Sequence, residues 1–408
     1  MVLKCDVLVI GAGPSGATCS SKLAKEGFEV ICIDKAKKWG EAHSRKIDIT
    51  ENKGIEHIIK ELKSDYLAKT NKSVWFSPNN KFTFVSSVHD LFFLRGPSKD
   101  SLDYSLFLAM KDNGVDIWFN SEIEKHDFGA KGKISSVIIN RNGKKVVVEP
   151  KIVVAADGPN SKFLHLLGIT QKNPVTIAGF GALMEGLKME NNSTSIFFDS
   201  FYAPGGYFFV GKVSNEIGIA MVVVNKKRAK RPLKEYFDDF IAKNPELFGI
   251  MLGAKVINFN SGECTASMIS KRVVGNVALC GDAARVMSPV FAYGVNPAMK
   301  SGYLLAESIK SHGLNEKALK HYEVSLKKSL GDESQGHFFR GVYDKLTNPD
   351  FDFLVESANY LHSKQHLDEL VDEENFKLRH IVFALLRKPH KTIRIGAKAA
   401  AKALLPFY

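Results

Sequence analysis

Early in the chain, Gly11-Ala12-Gly13-Pro14-Ser15-Gly16 stands where an apolar run, residues 7–10, gives way to a helical pattern over 17–26. Glycines so spaced form a cradle for a diphosphate. Gly11 lets the chain turn, Gly13 leaves room for a phosphate against the backbone, and Gly16 lets the helix settle on the strand. Pro14 occupies a first-turn position whose amide has no helical use. The remaining free amides and the positive end of the helix dipole then face the anion. Asp34 follows a second apolar strand, residues 28–33, where a carboxylate accepts ribose hydroxyls. Together these point to dinucleotide binding.

Two later strand ends repeat the pairing of glycine with an acid. Residues 152–156 run into Asp157-Gly158, and residues 276–280 run into Gly281-Asp282-Ala283-Ala284, with Pro289 and a helix from about 296 to 309 beyond. Asp282 reads as a cofactor contact or as the cap of a following helix, and Asp157 as a contact or a local turn acid. Backbone amides around Gly294, Val295 and Asn296 sit at a helix start, where the dipole stabilises negative charge on a reduced ring. Tyr207 and Phe209 fall on one face of a strand, either lining an apolar tunnel or packing a core. His43 and Arg45, in a polar loop over 35–49, are the candidate proton donors, with a solvated loop as the alternative.

The elements that position these groups follow from periodicity. Helical patterns cover 55–62, 101–113 and 233–244, and hairpins are expected over 73–93, turning at Ser77-Pro78-Asn79-Asn80, and over 133–148, turning at Asn142-Gly143. With 408 residues the chain is long enough for two interleaved domains. Its formal net charge of +12 comes without an RNA-binding aromatic motif or zinc-finger spacing, so no nucleic-acid partner is expected. Cys5, Cys19, Cys32, Cys264 and Cys280 show no metal or redox spacing, and no metal is expected. No signal peptide or membrane span is legible, and a cytoplasmic protein is the expectation.

The three strand-end motifs together resemble the FAD-binding fold of the p-hydroxybenzoate hydroxylase type. Within it, Gly281-Asp282-Ala283-Ala284-Arg285, Ser288-Pro289, Gly294-Val295 and Ser301-Gly302, with Ala203-Pro204-Gly205-Gly206-Tyr207, are similar to motifs of the geranylgeranyl reductase group. The resemblance implies an α/β fold: an FAD-binding Rossmann-like domain (1–72, 95–172, 271–312), an interleaved antiparallel-sheet substrate domain (73–94, 173–270) and a helical C-terminal region (313–408). It implies FAD as cofactor, with Ser15 and Asp34 at the adenosine half, and Ala42 and His43 in a loop near the flavin. It also implies Arg95 near the diphosphate, Asp282 on the ribityl chain or diphosphate, and Gly294 and Val295 beside the ring.

The implied activity is hydrogenation of double bonds in an isoprenoid lipid, fed by an external electron donor, a ferredoxin-like protein or NAD(P)H. Where that group usually carries a Cys-Gly pair, this chain reads His43-Ser44-Arg45-Lys46, and the aromatic motif continues as Phe208-Phe209-Val210. A flavin monooxygenase and a non-catalytic flavin or lipid binder therefore stay open as alternatives. The basic, apolar-interleaved tail over 376–408 reads as a peripheral contact with the inner face of a membrane or as a helix packed on the protein itself.

Overall fold

The computed structural model describes residues 2–43, 46–52, 54–128 and 133–363; Arg45 and the tail over 376–408 lie outside the described residues. The chain opens with β1 (Val2–Ile10), α1 (Pro14–Lys25), β2 (Val30–Ile33), β3 (Lys46–Glu51), α2 (Glu56–Glu61), β4 (Ala68–Phe76) and β5 (Lys81–Arg95). It continues through α3 (Leu102–Asp112), β6 (Asp116–Trp118), β7 (Ser121–Phe128), β8 (Ile134–Arg141), β9 (Lys144–Ala155) and α4 (Phe163–Leu166). Then come β10 (Gln171–Glu185), β11 (Ser193–Phe197), β12 (Tyr207–Lys212), β13 (Gly218–Asn225), α5 (Leu233–Lys243), α6 (Pro245–Met251) and β14 (Lys255–Ile269). The short strands β15 (Val273–Val274) and β16 (Val277–Leu279) lead to a 3₁₀ turn, Gly281–Ala284. Four helices follow: α7 (Val295–His312), α8 (Glu316–Leu330), α9 (Glu333–Tyr343) and α10 (Asn348–Ser363).

Two eight-stranded sheets organise these elements. The first runs β15-β16-β9-β1-β2-β6, with β16, β9, β1, β2 and β6 mutually parallel. Its central strands read as unbroken apolar runs because both of their faces are buried in the core, leaving no side for polar residues. The hairpin β8–β9 turns at Asn142 and Gly143, both at positive φ, the geometry that matches strand twist in a tight hairpin. Helix α7 lies on α1 at very close range: a Cβ on Gly302 would stand 2.1 Å from the Ser15 carbonyl oxygen. Only a residue without a side chain permits that crossing.

The second sheet runs β14-β10-β13-β12-β11-β4-β5-β3, antiparallel apart from the parallel pair β11 and β4. One face carries Phe208 against Phe237 and Phe240 of α5. The opposite face carries Tyr207, Phe209, Phe92, Leu94 and Ile47, packed with Met287 and Phe351. β3 belongs to this sheet although it falls within the span expected for the first part of the nucleotide domain, and α2 after it packs back on the nucleotide-domain core. The physical reason is register: Ile47 and Ile49 pair with Leu94 and Phe92, so the strand buries its apolar row only on this sheet.

Candidate active site

The glycine turn has the expected division of labour. Gly11 sits at φ +106°, and a Cβ there would meet the Ala156 carbonyl oxygen at 2.2 Å; one on Gly16 would meet the Gly11 carbonyl oxygen at 1.9 Å. Both are required by the protein's own packing. Gly13 differs, because a Cβ there would have no protein atom within 4 Å. It is also the N-cap of α1 and supplies no side-chain cap, so the first amides of the helix face open space. Ser15 lies beside this opening, in contact range of Gly281, so β1's turn and the 3₁₀ turn meet at one place.

Asp34 is more occupied than a ribose acceptor alone would be. Its Oδ2 accepts from the Ala12 amide and its Oδ1 from the Ala36 amide, each at 2.8 Å. The carboxylate thus braces the glycine turn, and its remaining lone pairs are what a ribose would find.

Asp282 stands on the other side of the opening. Among the described residues its carboxylate accepts no hydrogen bond, and burial pushes it above the ordinary carboxyl range against the pull of Arg285, Arg95 and Lys46. Nearby, Asp157 Oδ1 is buried without a partner, and burial raises that carboxyl too. A buried, unpartnered acceptor such as Asp157 Oδ1 calls for a donor from elsewhere. Arg285, in the left-handed region at φ +58°, closes this side through bonds to the Pro159 carbonyl at 2.6 Å and Gln171 Oε1 at 3.1 Å.

Arg95 is buried, and its guanidinium is held by carboxylates. Nε and Nη2 donate to Asp103 at 2.9 and 2.8 Å, and Nη1 donates to Asp48 at 2.9 Å. This arginine therefore organises the rim as the centre of a salt-bridged cluster, and any diphosphate contact must use its unspent N–H groups. His43 belongs to the same cluster: burial, then the charges of Arg95 and Lys46, push it down to about 4. A neutral imidazole has no readily lost proton at pH 7, which weighs against His43 as the acid. Ala42 is exposed on the same loop.

At the start of α7, Gly294 is the N-cap and offers no side-chain cap. The Asn296 amide donates to Thr50 Oγ1 at 3.2 Å and its Nδ2 to the Glu51 carbonyl at 2.7 Å, so Asn296 ties α7 to β3. Tyr207 and Phe209 share a face and are both well buried, at 8% and 6% exposed. The Tyr207 hydroxyl donates to the Phe291 carbonyl at 2.5 Å, which joins the second sheet to the loop before α7. On that same face, Glu51 pairs across the strands with Asp90 at the end of the row formed by Ile47, Ile49, Phe92 and Leu94. Burial first and Glu51 second push Asp90 up to about 7.

Sequence reasoning missed Asp48, Asp103, Glu51, Asp90 and Thr50 as neighbours of the site. Their only local signal was an acid or hydroxyl on an amphipathic strand or in a first helical turn, which is commonplace on surfaces.

The FAD binding domain family matches residues 4–323. The chain belongs to that family. Curated relatives include the digeranylgeranylglycerophospholipid reductase of Methanocella arvoryzae, 27% identical over 397 residues, covering 92% of this chain and 94% of the relative. The enzyme of that name from Methanocaldococcus jannaschii is 26% identical, covering 86% and 90%. In fold, the chain is similar to a geranylgeranyl bacteriochlorophyll reductase-like protein from Thermoplasma acidophilum, with a TM-score of 0.80, 21% identity and coverage of 98% and 100%. A flavin-dependent brominase follows at a TM-score of 0.72 and 19% identity, covering 95% and 99%. The resemblance to the geranylgeranyl reductase group, and FAD as cofactor, are thus supported independently of the motifs. The residues present fit FAD, since an open cradle at Gly13 suits a diphosphate, and the Asp282 carboxylate with the unpartnered Oδ1 of Asp157 suits a polyhydroxyl chain. The protein is an FAD-dependent oxidoreductase.

Proposed function

We propose that this flavoprotein hydrogenates carbon-carbon double bonds of geranylgeranyl lipids. The observation that carries the reading is the bond from the Tyr207 hydroxyl to the Phe291 carbonyl, which brings an apolar sheet face against the loop leading into α7. A long prenyl chain is the ligand such a face suits, and similarity to reductases named for digeranylgeranylglycerophospholipids favours it over a small aromatic ring.

Bound and reduced, FAD supplies a hydride equivalent to one carbon of an alkene. The protein's own contribution is placement and electrostatics. Gly13 and the first amides of α1 would hold the diphosphate, with Ser15 and Asp34 at the adenosine half and Asp282 on the ribityl chain. Gly294 and Val295, at a helix start, would stabilise negative charge beside the ring. Tyr207 and Phe209 keep water away from the chain. Asp90 is a carboxyl that holds its proton close to neutrality on this same face, supporting proton delivery without a cysteine. We take the donor of electrons to be external, a ferredoxin-like protein or NAD(P)H, since no second dinucleotide fingerprint is legible. No helix among the described residues is long and apolar enough to cross a membrane, and a peripheral contact through the tail remains part of the proposal.

The test is anaerobic mixing of dithionite-reduced protein with geranylgeranyl lipids, followed by mass spectrometry. The expected result is a gain of about two hydrogens per double bond. Absence of any gain, with oxygen-dependent hydroxylation of a small aromatic instead, transfers the assignment to a monooxygenase.

A further inference from the structure

Helix α9 is wedged between the two halves of the site. At its start, Gly336 meets the loop before α7: a Cβ there would lie 3.3 Å from Pro289 Cγ. At its end, Arg340 is 1% exposed and divides its guanidinium between two loops. Nη1 donates to the Val290 carbonyl at 3.4 Å, on the cofactor side, while Nη2 donates to the Gly205 carbonyl, on the substrate side, and to the Asp344 carboxylate one helical turn on. Tyr343 adds a bond from its hydroxyl to the Gly206 carbonyl at 2.8 Å, and its ring lies under the guanidinium at 5.3 Å.

The two glycines make this approach feasible. Gly205 is at φ +65°, and a Cβ on it would stand 2.6 Å from Asp344 Oδ1; a Cβ on Gly206 would stand 1.8 Å from the Val223 carbonyl oxygen. The next residue is Tyr207, whose hydroxyl reaches the Phe291 carbonyl. Apart from the bond to Asp344, every one of these bonds ends on a backbone carbonyl of one loop or the other. Arginine is suited to the task because its planar fork serves several acceptors at fixed angles, which a lysine point charge does not.

We propose that Arg340 and Tyr343 are positioning residues, a clasp that sets the spacing between the Gly205-Gly206 turn beside the lipid-facing aromatics and the Val290-Phe291 loop beside the cofactor. The proposal rests on the lipid-reductase reading for its catalytic consequence. Its structural content stands separately, because the clasp couples two loops whether or not a lipid is the substrate. A displacement of an ångström between reacting groups lowers a rate by up to about a hundredfold, so the clasp acts on turnover and not on cofactor affinity.

The test uses full-length holoenzyme and the variants Arg340→Lys and Tyr343→Phe. Hydrogen exchange by mass spectrometry is read over residues 203–207 and 288–294, with 7–10 as an internal reference. Arg340→Lys is expected to speed exchange in both segments together, by about tenfold or more, and Tyr343→Phe in 203–207; the reference stays unchanged. Bound FAD stays stoichiometric, and kcat for a geranylgeranyl lipid falls about tenfold while dithionite reduces the bound flavin at the wild-type rate. Wild-type exchange in both segments of both variants overturns the clasp, as does a fall in kcat that merely tracks lost FAD. Should Arg340→Lys fail to fold, Tyr343→Phe decides, because it removes one oxygen and keeps the ring. Wild-type protein that reduces no prenyl lipid refutes the lipid reading alone, and the exchange measurement still judges the clasp.

Discussion

Asp34 Oδ2 accepts the amide of Ala12 at 2.8 Å, so the acid at the end of β2 is a structural member of the glycine turn before any nucleotide arrives. Asp34→Asn keeps the shape but removes the charge from a bond of a kind that contributes about 1.5–3 kcal/mol. The expected outcome is a lower melting temperature in the FAD-free protein as well as weaker FAD binding. Calorimetry of the stripped protein checks it: unchanged stability there would confine Asp34 to the ribose.

Gly13 and Gly16 separate binding from folding. Gly13→Val should leave a folded protein without FAD, because its side chain enters open space at an ordinary φ of −70°. Gly16→Val should fail to fold, because its Cβ meets the Gly11 carbonyl oxygen at 1.9 Å. Circular dichroism and the visible flavin spectrum read the two outcomes independently. A yellow, stoichiometric Gly13→Val protein contradicts the cradle.

Asp90 gives stability a pH dependence of defined sign. Its carboxyl is raised to about 7 in the fold by burial and by Glu51, against about 4 in an unfolded chain. Between these values the native state holds a proton that the unfolded state has lost, so stability falls as pH rises from about 4 to about 7 and is flat beyond. A shift of this size corresponds to at most about 4 kcal/mol, and partial exposure screens it to roughly half. Asp90→Asn should therefore raise the melting temperature at pH 8 and leave it unchanged at pH 4. Equal effects at both pH values would mean that packing, not ionisation, is what changed.

All five cysteines are free, and none is activated. Burial pushes the thiols of Cys5, Cys32, Cys264 and Cys280 up to about 12 and raises Cys19 as well. At Cys264 the charge of Asp282 adds to the effect. With so little thiolate present, N-ethylmaleimide at pH 7 should leave lipid reduction intact while titrating every thiol in the unfolded chain. Rapid inactivation traced to Cys264 would contradict this.

The local features of the nucleotide half were legible from residue order because each is short in range. A glycine turn between an apolar strand and a helix, an acid after the next strand, and the Asn142-Gly143 hairpin are properties of a few neighbouring residues, and backbone sterics give them one meaning. The shared face of Tyr207 and Phe209 follows equally from the two-residue period of a strand. Tertiary structure decided what those groups touch. Residue order gives no sign that Asp48, from β3, and Asp103, from α3, hold the Arg95 guanidinium. Nor does it show that Asn296, at the start of α7, donates to Thr50 and Glu51 of β3. The strand over 46–51 was unmarked because six residues of mixed polarity acquire a sheet only through the register they find with β5. Arg340 carried no signal at all, since its acceptors are carbonyls, which every residue has; only the path of the chain selects the ones at Gly205 and Val290.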